Sequence, residues 1–207
     1  SLAFVGAGNM AAALIHGLIA DEYPAERITA TDADAAKLDA LAQGYGINTE
    51  TSNSEAVAGA DLVVFAVKPQ VLPEVMAGLK RRIPSQSLVF SIVAGMPMAT
   101  IQKGLSHQAV IRCMPNTPAQ ISAGMSVWTG TAEVSEEQKE QARIILNAMG
   151  KELYVDHEDV LNMATAVSGT GPTYVFLLAE ALVDAAVHLG FSRRDARLIV
   201  LETLKGS

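Results

Sequence analysis

Leu2-Ala-Phe-Val5-Gly6-Ala-Gly8-Asn-Met-Ala11 opens the chain with four apolar residues, a glycine-rich turn and the start of an apolar helix. In that order the three pieces read as strand, turn and helix, the first unit of a parallel α/β sheet. A tight turn at this point needs Gly6, and a phosphate approaches the backbone closely only where Gly8 lacks a Cβ. The small Ala11 lets helix and strand pack together. The helix beginning at Asn9 then offers open N–H groups and a partial positive charge to a pyrophosphate. The same string also suits a turn that binds nothing. Its place between a strand and a helix, with an acidic residue after the second strand, favours a dinucleotide.

Outward from that turn, short apolar runs alternate with helical segments over the first ~150 residues, the pattern of strands joined by crossover helices. Strands are expected at 27–31, 62–67, 88–93 and 109–113, and helices at 9–20, 35–45 and 135–149. Leu62-Val-Val-Phe-Ala-Val67 is apolar without alternation, as a strand buried on both faces should be. Ser135 is placed to cap its helix, with Glu136 and Glu137 in the first turn. After Val155 the texture changes to helical periodicity alone. On the helix expected over 172–189, Tyr174, Leu177, Leu178, Ala181, Leu182, Ala185 and Leu189 line one broad face, and Val175, Ala179, Val183 and Ala186 leave little polar surface. Such a helix is buried or sits in an interface. The division expected is 1–156 for the sheet domain and 157–207 for a helical one.

Composition narrows the classes. At 207 residues there is room for one large domain, or for one domain and a smaller companion. Lys and Arg number 15 against 22 Asp and Glu, a formal charge of −7, which disfavours a nucleic-acid backbone or an anionic membrane as partner. Half the residues are hydrophobic and 18% charged, enough apolar material for a packed core. The longest strand-like run stops at Lys68, so no stretch is expected to approach the about 18 apolar residues of a membrane span. One cysteine, Cys113, makes neither an internal disulfide nor a cysteine zinc site. No secretory signal heads the sequence, and a cytoplasmic location is the expectation.

Further residues are candidates for chemistry. Asp32 follows the second strand, where a carboxylate accepts the ribose hydroxyls of NAD(H) and repels the 2′-phosphate of NADP(H); it equally suits a helix cap. Lys37 is the nearest base. Ala66-Val67-Lys68-Pro69 ends the central strand, and Pro69 keeps Lys68 extended. Lys68 is then near the cofactor or simply a solvated strand end. Val93-Ala94-Gly95 is small enough for a flat ring to lie against the backbone. Met114-Pro-Asn116-Thr117-Pro118 is a loop stiffened by two prolines, either polar and functional or a structural turn. Ser168-Gly169-Thr170-Gly171-Pro172 combines hydroxyls, glycines and an expected helix start, either an anion cradle or plain capping. The four histidines show no metal-ligand spacing, no Walker A sequence occurs, and no metal is expected.

Taken in order, Phe4-Val-Gly6-Ala-Gly8-Asn-Met10, Ala66-Val-Lys68-Pro69, Val93-Ala-Gly95, Arg112-Cys-Met-Pro-Asn116-Thr-Pro118 and Val167-Ser-Gly-Thr-Gly171-Pro-Thr-Tyr174 resemble the pyrroline-5-carboxylate reductase family of proline biosynthesis. The resemblance implies a Rossmann-type, mostly parallel sheet with helices on both faces, followed by an all-helical dimerisation domain. It implies an NAD(P)H-dependent reduction of a cyclic imine by a homo-oligomer, at least a dimer through the C-terminal helices. By similarity the cofactor contacts Gly6, Ala7, Gly8, Asn9, Met10, Asp32, Asn53, Ala66, Val67, Lys68, Pro69 and Ala94. Asn116 and Thr117 are the catalytic candidates, and Ser168, Gly169, Thr170 and Gly171 lie near the substrate. The family favours NADPH, whereas Asp32 argues for NADH. Thr170 and Thr173 stand where the family commonly has Ser and Ala. Relatives continue into helices with a Gly-Gly-Thr-Thr-like segment that this chain does not carry, so the expectation is a helical domain cut short. Two other readings are a related dehydrogenase acting on a hydroxy acid, and an NAD(P)H-sensing module without turnover.

Overall fold

All four residues of β1 (Leu2–Val5) are buried, and their side chains alternate between two separate cores. Leu2 and Phe4 join a cluster of 27 buried residues on one face of the sheet, while Ala3 and Val5 join a cluster of 15 on the other. The strand's period of two makes this split, and it explains a run with no polar residue at any position. The computed structural model describes residues 1–207.

The chain runs on through α1 (Asn9–Ala20), β2 (Ile28–Thr31), α2 (Ala35–Tyr45), β3 (Asn48–Glu50), α3 (Asn53–Val57), β4 (Leu62–Phe65), α4 (Leu72–Leu79), β5 (Leu88–Ser91), α5 (Met98–Leu105) and β6 (Val110–Met114). Then come β7 (Gly124–Gly130), α6 (Glu136–Asn147) and β8 (Gly150–Tyr154). The eight strands lie in the order β3-β2-β1-β4-β5-β6-β7-β8. The first six are parallel; β7 pairs antiparallel to β6, and β8 runs parallel to β7. Helices α1, α2 and α6 cover the larger core, through Leu14, Ile15 and Leu18, Leu38 and Leu41, and Ala142, Ile145 and Leu146. Helices α4 and α5 cover the other, through Leu72, Met76 and Leu79, and Ile101 and Leu105. Burying each Leu or Ile of this kind contributes roughly 1.5–3 kcal/mol, so the two apolar faces hold the helices on the sheet.

Ser135 caps α6 with a reciprocal pair: its hydroxyl accepts the Gln138 N–H at 3.2 Å, and the Gln138 side chain accepts the Ser135 N–H at 3.0 Å. The cap of α2 is Asp34, which accepts the Ala36 N–H, and not Asp32.

Three helical segments follow: α7 (Val160–Ala164), α8 (Gly171–His188) and α9 (Arg193–Gly206). A π-helical turn over Thr165–Gly169 joins α7 to α8, so Val160–His188 is a single 29-residue helix. No run of 18 apolar residues occurs in it, yet by length and composition alone the helix is long and apolar enough to cross a membrane, its most apolar 18-residue window having mean hydropathy 1.3. Glu180 and Asp184 lie within it. No residue of α8 is buried, and Phe176, Leu177 and Leu178 are 67%, 59% and 53% exposed. An apolar surface of this extent needs a partner to cover it.

Candidate active site

Parallel sheets bind ligands where the strand order reverses, and here that point lies between β1 and β4. Gly6 has φ +103°, and its N–H donates to the Thr31 carbonyl at 2.8 Å. An added Cβ there would lie 2.8 Å from the carbonyl carbon and oxygen of Ala66, so the turn after β1 rests directly on the exit of β4. Gly8 differs: nothing stands within 4 Å of the place its Cβ would take. That open space lies at the head of α1, where no side chain caps the helix and no acidic residue occupies the first turn. A free helix N-terminus beneath an open glycine fits the pyrophosphate of a dinucleotide. Asn9 is exposed and Met10 half-buried at this mouth, with Ala7 buried beneath them.

Asp32 stands beside the turn. Its Oδ2 accepts the Ala7 N–H at 2.8 Å, its Oδ1 accepts the Asp34 N–H at 3.0 Å, and the Lys37 ammonium lies 3.5 Å from Oδ1. Burial works to raise its pKa, but the two backbone N–H groups and Lys37 outweigh that and hold the carboxyl below its ordinary value. Asp32 thus braces the glycine turn. Next to it, the Thr31 hydroxyl donates to the Asn53 side-chain oxygen, which ties the end of β2 to the head of α3.

The other expected cofactor residues share this carboxyl edge. Ala66 and Val67 are half-buried where β4 ends, and Lys68 and Pro69 are exposed beyond them. The next strand is tied to this exit, since the Ile92 N–H donates to the Phe65 carbonyl at 3.1 Å, and Ala94 follows on an exposed loop.

Asn116 reaches two elements from the loop after β6. Its Nδ2 donates to the Ser168 carbonyl at 3.1 Å, and its Oδ1 accepts the Met125 N–H at 2.8 Å. Gly169 packs so closely on Met114 that a Cβ would lie 2.9 Å from the methionine's methyl carbon. The 168–171 turn is therefore seated on the end of the sheet, beside the loop that carries Asn116. Thr117 is exposed. The expected free helix start is not found at 168–171. The Thr170 N–H donates to the Thr165 carbonyl at 2.9 Å, and the Ser168 and Thr170 hydroxyls donate to Ala164 and Thr165. The helix passes straight through, and the π turn re-aims these residues without exposing a row of N–H groups.

One group escaped the reading of the sequence. Arg112, buried in β6, donates to Glu158 Oε1 at 2.8 Å, and the same oxygen accepts the Met98 N–H at 2.8 Å. The guanidinium also reaches Asn162 Oδ1 at 3.4 Å. Forty-six residues separate Arg112 from Glu158, and only the fold brings them together. A lone arginine within an apolar strand was the available signal, since a buried guanidinium requires an anionic partner. Cys113 beside it is buried in the larger core, and that burial pushes its thiol up.

A mostly parallel sheet with a glycine turn at its switch point, joined to a helical segment seated on the same carboxyl edge, is the architecture of a dinucleotide-dependent oxidoreductase with a helical second domain. Residues 1–95 match the family described as NADP oxidoreductase coenzyme F420-dependent, and residues 158–207 match pyrroline-5-carboxylate reductase dimerisation. The whole chain is 44% identical to the pyrroline-5-carboxylate reductase of Pseudomonas aeruginosa and covers 76% of that protein. Among solved structures, the Coxiella burnetii pyrroline-5-carboxylate reductase superposes with a TM-score of 0.93 at 36% identity, over 99% of this chain and 77% of that one. The Plasmodium falciparum pyrroline carboxylate reductase with NADP bound gives 0.88 at 30% identity, over 100% and 76%. The chain belongs to the pyrroline-5-carboxylate reductase family.

Proposed function

We propose that this chain reduces 1-pyrroline-5-carboxylate to L-proline, with the crevice between β1 and β4 holding the cofactor and the Asn116 loop and 168–171 turn holding the imine. The observation that carries this reading is the Asn116–Ser168 hydrogen bond, which sets the two substrate-side segments against the edge where the glycine turn opens. When bound, the reduced nicotinamide supplies the hydride that converts the C=N carbon to CH–NH. The chain's own residues orient and enclose. Gly6, Ala7, Gly8, Asn9 and Met10 take the pyrophosphate side, Asp32 and Asn53 the ribose side, and Ala66, Val67, Lys68, Pro69 and Ala94 the path toward the ring. Asn116 and Thr117 face the imine together with Ser168, Gly169, Thr170 and Gly171. None of these six substrate-side residues carries a titratable group, and the protonated imine is the better electrophile for them to bind. Holding donor and acceptor in line while excluding water supplies much of the acceleration.

Both reduced cofactors are accepted, and Asp32 sets their ratio against NADPH. Its carboxylate favours ribose hydroxyls over a 2′-phosphate, while Lys37 beside it reduces that bias. The NADP-bound P. falciparum relative and the NADP family matched by residues 1–95 support use of the phosphorylated form. A boundary after residue 156, a cytoplasmic location and a dimer through the exposed face of α8 complete the proposal. Neither a hydroxy-acid dehydrogenase nor a sensor is needed beside it.

The test is NADH and NADPH oxidation followed by absorbance with pyrroline-5-carboxylate added. Imine-dependent oxidation is expected with each; binding of the cofactor without turnover would sink the reading. Thr117→Ala is expected to change turnover or imine affinity, and unchanged values for both would remove Thr117 from the site.

A further inference from the structure

We infer that Glu158 is a positioning residue that clamps the cofactor-side and substrate-side halves of the active site in register. The inference rests on the reductase reading above and adds a residue to which that reading gives no role.

A single carboxylate oxygen, Glu158 Oε1, accepts two hydrogen bonds from different parts of the sheet domain. The first comes from Met98, whose N–H is one of the open donors at the head of α5; no residue of α5 itself caps them. Met98 ends the loop from β5 that carries Ala94, so the cap fixes the wall against which the nicotinamide is proposed to lie. The second comes from Arg112, four residues before Asn116 on the strand that delivers the substrate-side loop. Glu158 itself stands two residues ahead of α7, the start of the 29-residue helix that contains 168–171. A shift of this carboxylate therefore moves the Ala94 loop, the Asn116 loop and the helical turn relative to one another.

The pair is built to stay in place. The Arg112 side chain is 6% exposed and that of Glu158 26%, and Asn162 takes a second guanidinium N–H. A buried ion pair of this sort adds little net stability compared with apolar replacements of similar volume, because desolvation offsets the attraction. What it supplies is a fixed geometry, and hydride transfer is sensitive to displacements of about 1 Å, which cost on the order of a hundredfold in rate.

The test compares Glu158→Gln, Glu158→Ala and the double replacement Arg112→Leu with Glu158→Leu, in the natural full-length enzyme. It measures kcat, KM for the imine, cofactor Kd by fluorescence, and Tm. Glu158→Gln keeps an oxygen for both the Met98 and the Arg112 N–H groups but removes the charge opposite the guanidinium, so it is expected to lower Tm while holding kcat within about threefold of the parent. Glu158→Ala strands the Arg112 charge and is expected to lower both Tm and kcat, with cofactor Kd within about threefold. The double replacement removes the stranded charge. It is expected to regain Tm while kcat stays about 10- to 100-fold down. Recovery of kcat together with Tm would overturn the clamp and leave an ordinary ion pair; so would a kcat for Glu158→Gln as low as that of Glu158→Ala. If Glu158→Ala does not fold, the other two variants decide. A parent without imine-dependent oxidation would overturn the reductase reading and the clamp together, whereas an active parent isolates the clamp.

Discussion

The Asp32 carboxylate accepts the Ala7 N–H at 2.8 Å, so the residue proposed to meet the ribose also holds the glycine turn in shape. Removing it does two things at once. Asp32→Ser takes away the charge that opposes a 2′-phosphate and loosens the turn that cradles the pyrophosphate. We expect the NADPH-to-NADH ratio of kcat/KM to rise about tenfold, ~1.4 kcal/mol of discrimination, while the Kd of both cofactors weakens. Unchanged preference in side-by-side kinetics would remove Asp32 from the ribose site. Because its pKa is held below the ordinary carboxylate value, Asp32 stays ionised above about pH 4. The preference should accordingly be flat across neutral and mildly acidic pH.

The two turn glycines separate folding from binding. Gly6 combines φ +103° with a neighbour 2.8 Å from any added Cβ, so Gly6→Ala is expected to cost at least ~2 kcal/mol of stability in denaturant unfolding. Gly8 has φ −75° and open space, so Gly8→Ala should fold with its Tm unchanged and lose cofactor affinity about tenfold or more. Equal Tm losses for the two would contradict this assignment.

Much of this was legible in the sequence where burial on both faces leaves no polar residue, as in β1 and β4. Strands with weaker signatures were not. The three residues of β3 form an edge with Asn48 and Glu50 exposed, and β8 is only partly buried along its length. β7 starts and ends on glycine although it carries the fully buried Trp128. Helices α4 and α5 are eight residues each, too short for periodicity to stand out. At the site, Asn116 and 168–171 were found as motifs, but their mutual contact depends on a π turn that no local pattern announces. Glu158 was invisible because both groups it accepts from are far away in sequence.

Asn116 makes one donor and one acceptor contact, which assigns its amide an orientation. Asn116→Asp keeps an acceptor for the Met125 N–H but turns a carboxylate oxygen toward the Ser168 carbonyl. The lost hydrogen bond and the new repulsion should separate the 168–171 turn from the loop. We expect KM for the imine to rise and kcat to fall by about tenfold or more, with cofactor Kd unaltered. Steady-state kinetics with direct cofactor titration separates this from general unfolding.

His107 gives the fold a defined response to acid. Its ring is buried and its Nε2 lies 2.7 Å from the Ser87 carbonyl; burial lowers its pKa, outweighing the opposing effect of that hydrogen bond. The folded state favours the neutral ring, whereas the unfolded chain takes a proton near 6.5. Below that value the unfolded state binds more protons, so this contribution is fully present above pH 6.5 and is lost as pH falls toward the folded pKa. His107→Gln should flatten the stability slope between about pH 7 and pH 5 in chemical denaturation. An unchanged slope would show that His107 is not the group responsible.

The apolar side of α8 makes the last expectation quantitative. With Leu178 53% exposed and no residue of the helix buried within one chain, this is the surface proposed above for a second copy, in keeping with the matched dimerisation domain. Leu178→Asp would set a charge in that interface. Its desolvation should weaken association by about 3 kcal/mol, roughly a hundredfold in dissociation constant. Sedimentation velocity of the natural full-length enzyme should then show monomer at concentrations where the parent is associated. Turnover should fall with the associated fraction while cofactor Kd stays constant, since the glycine turn and Asp32 lie within a single chain. An associated, active Leu178→Asp enzyme would place the subunit contact on another face of the helix.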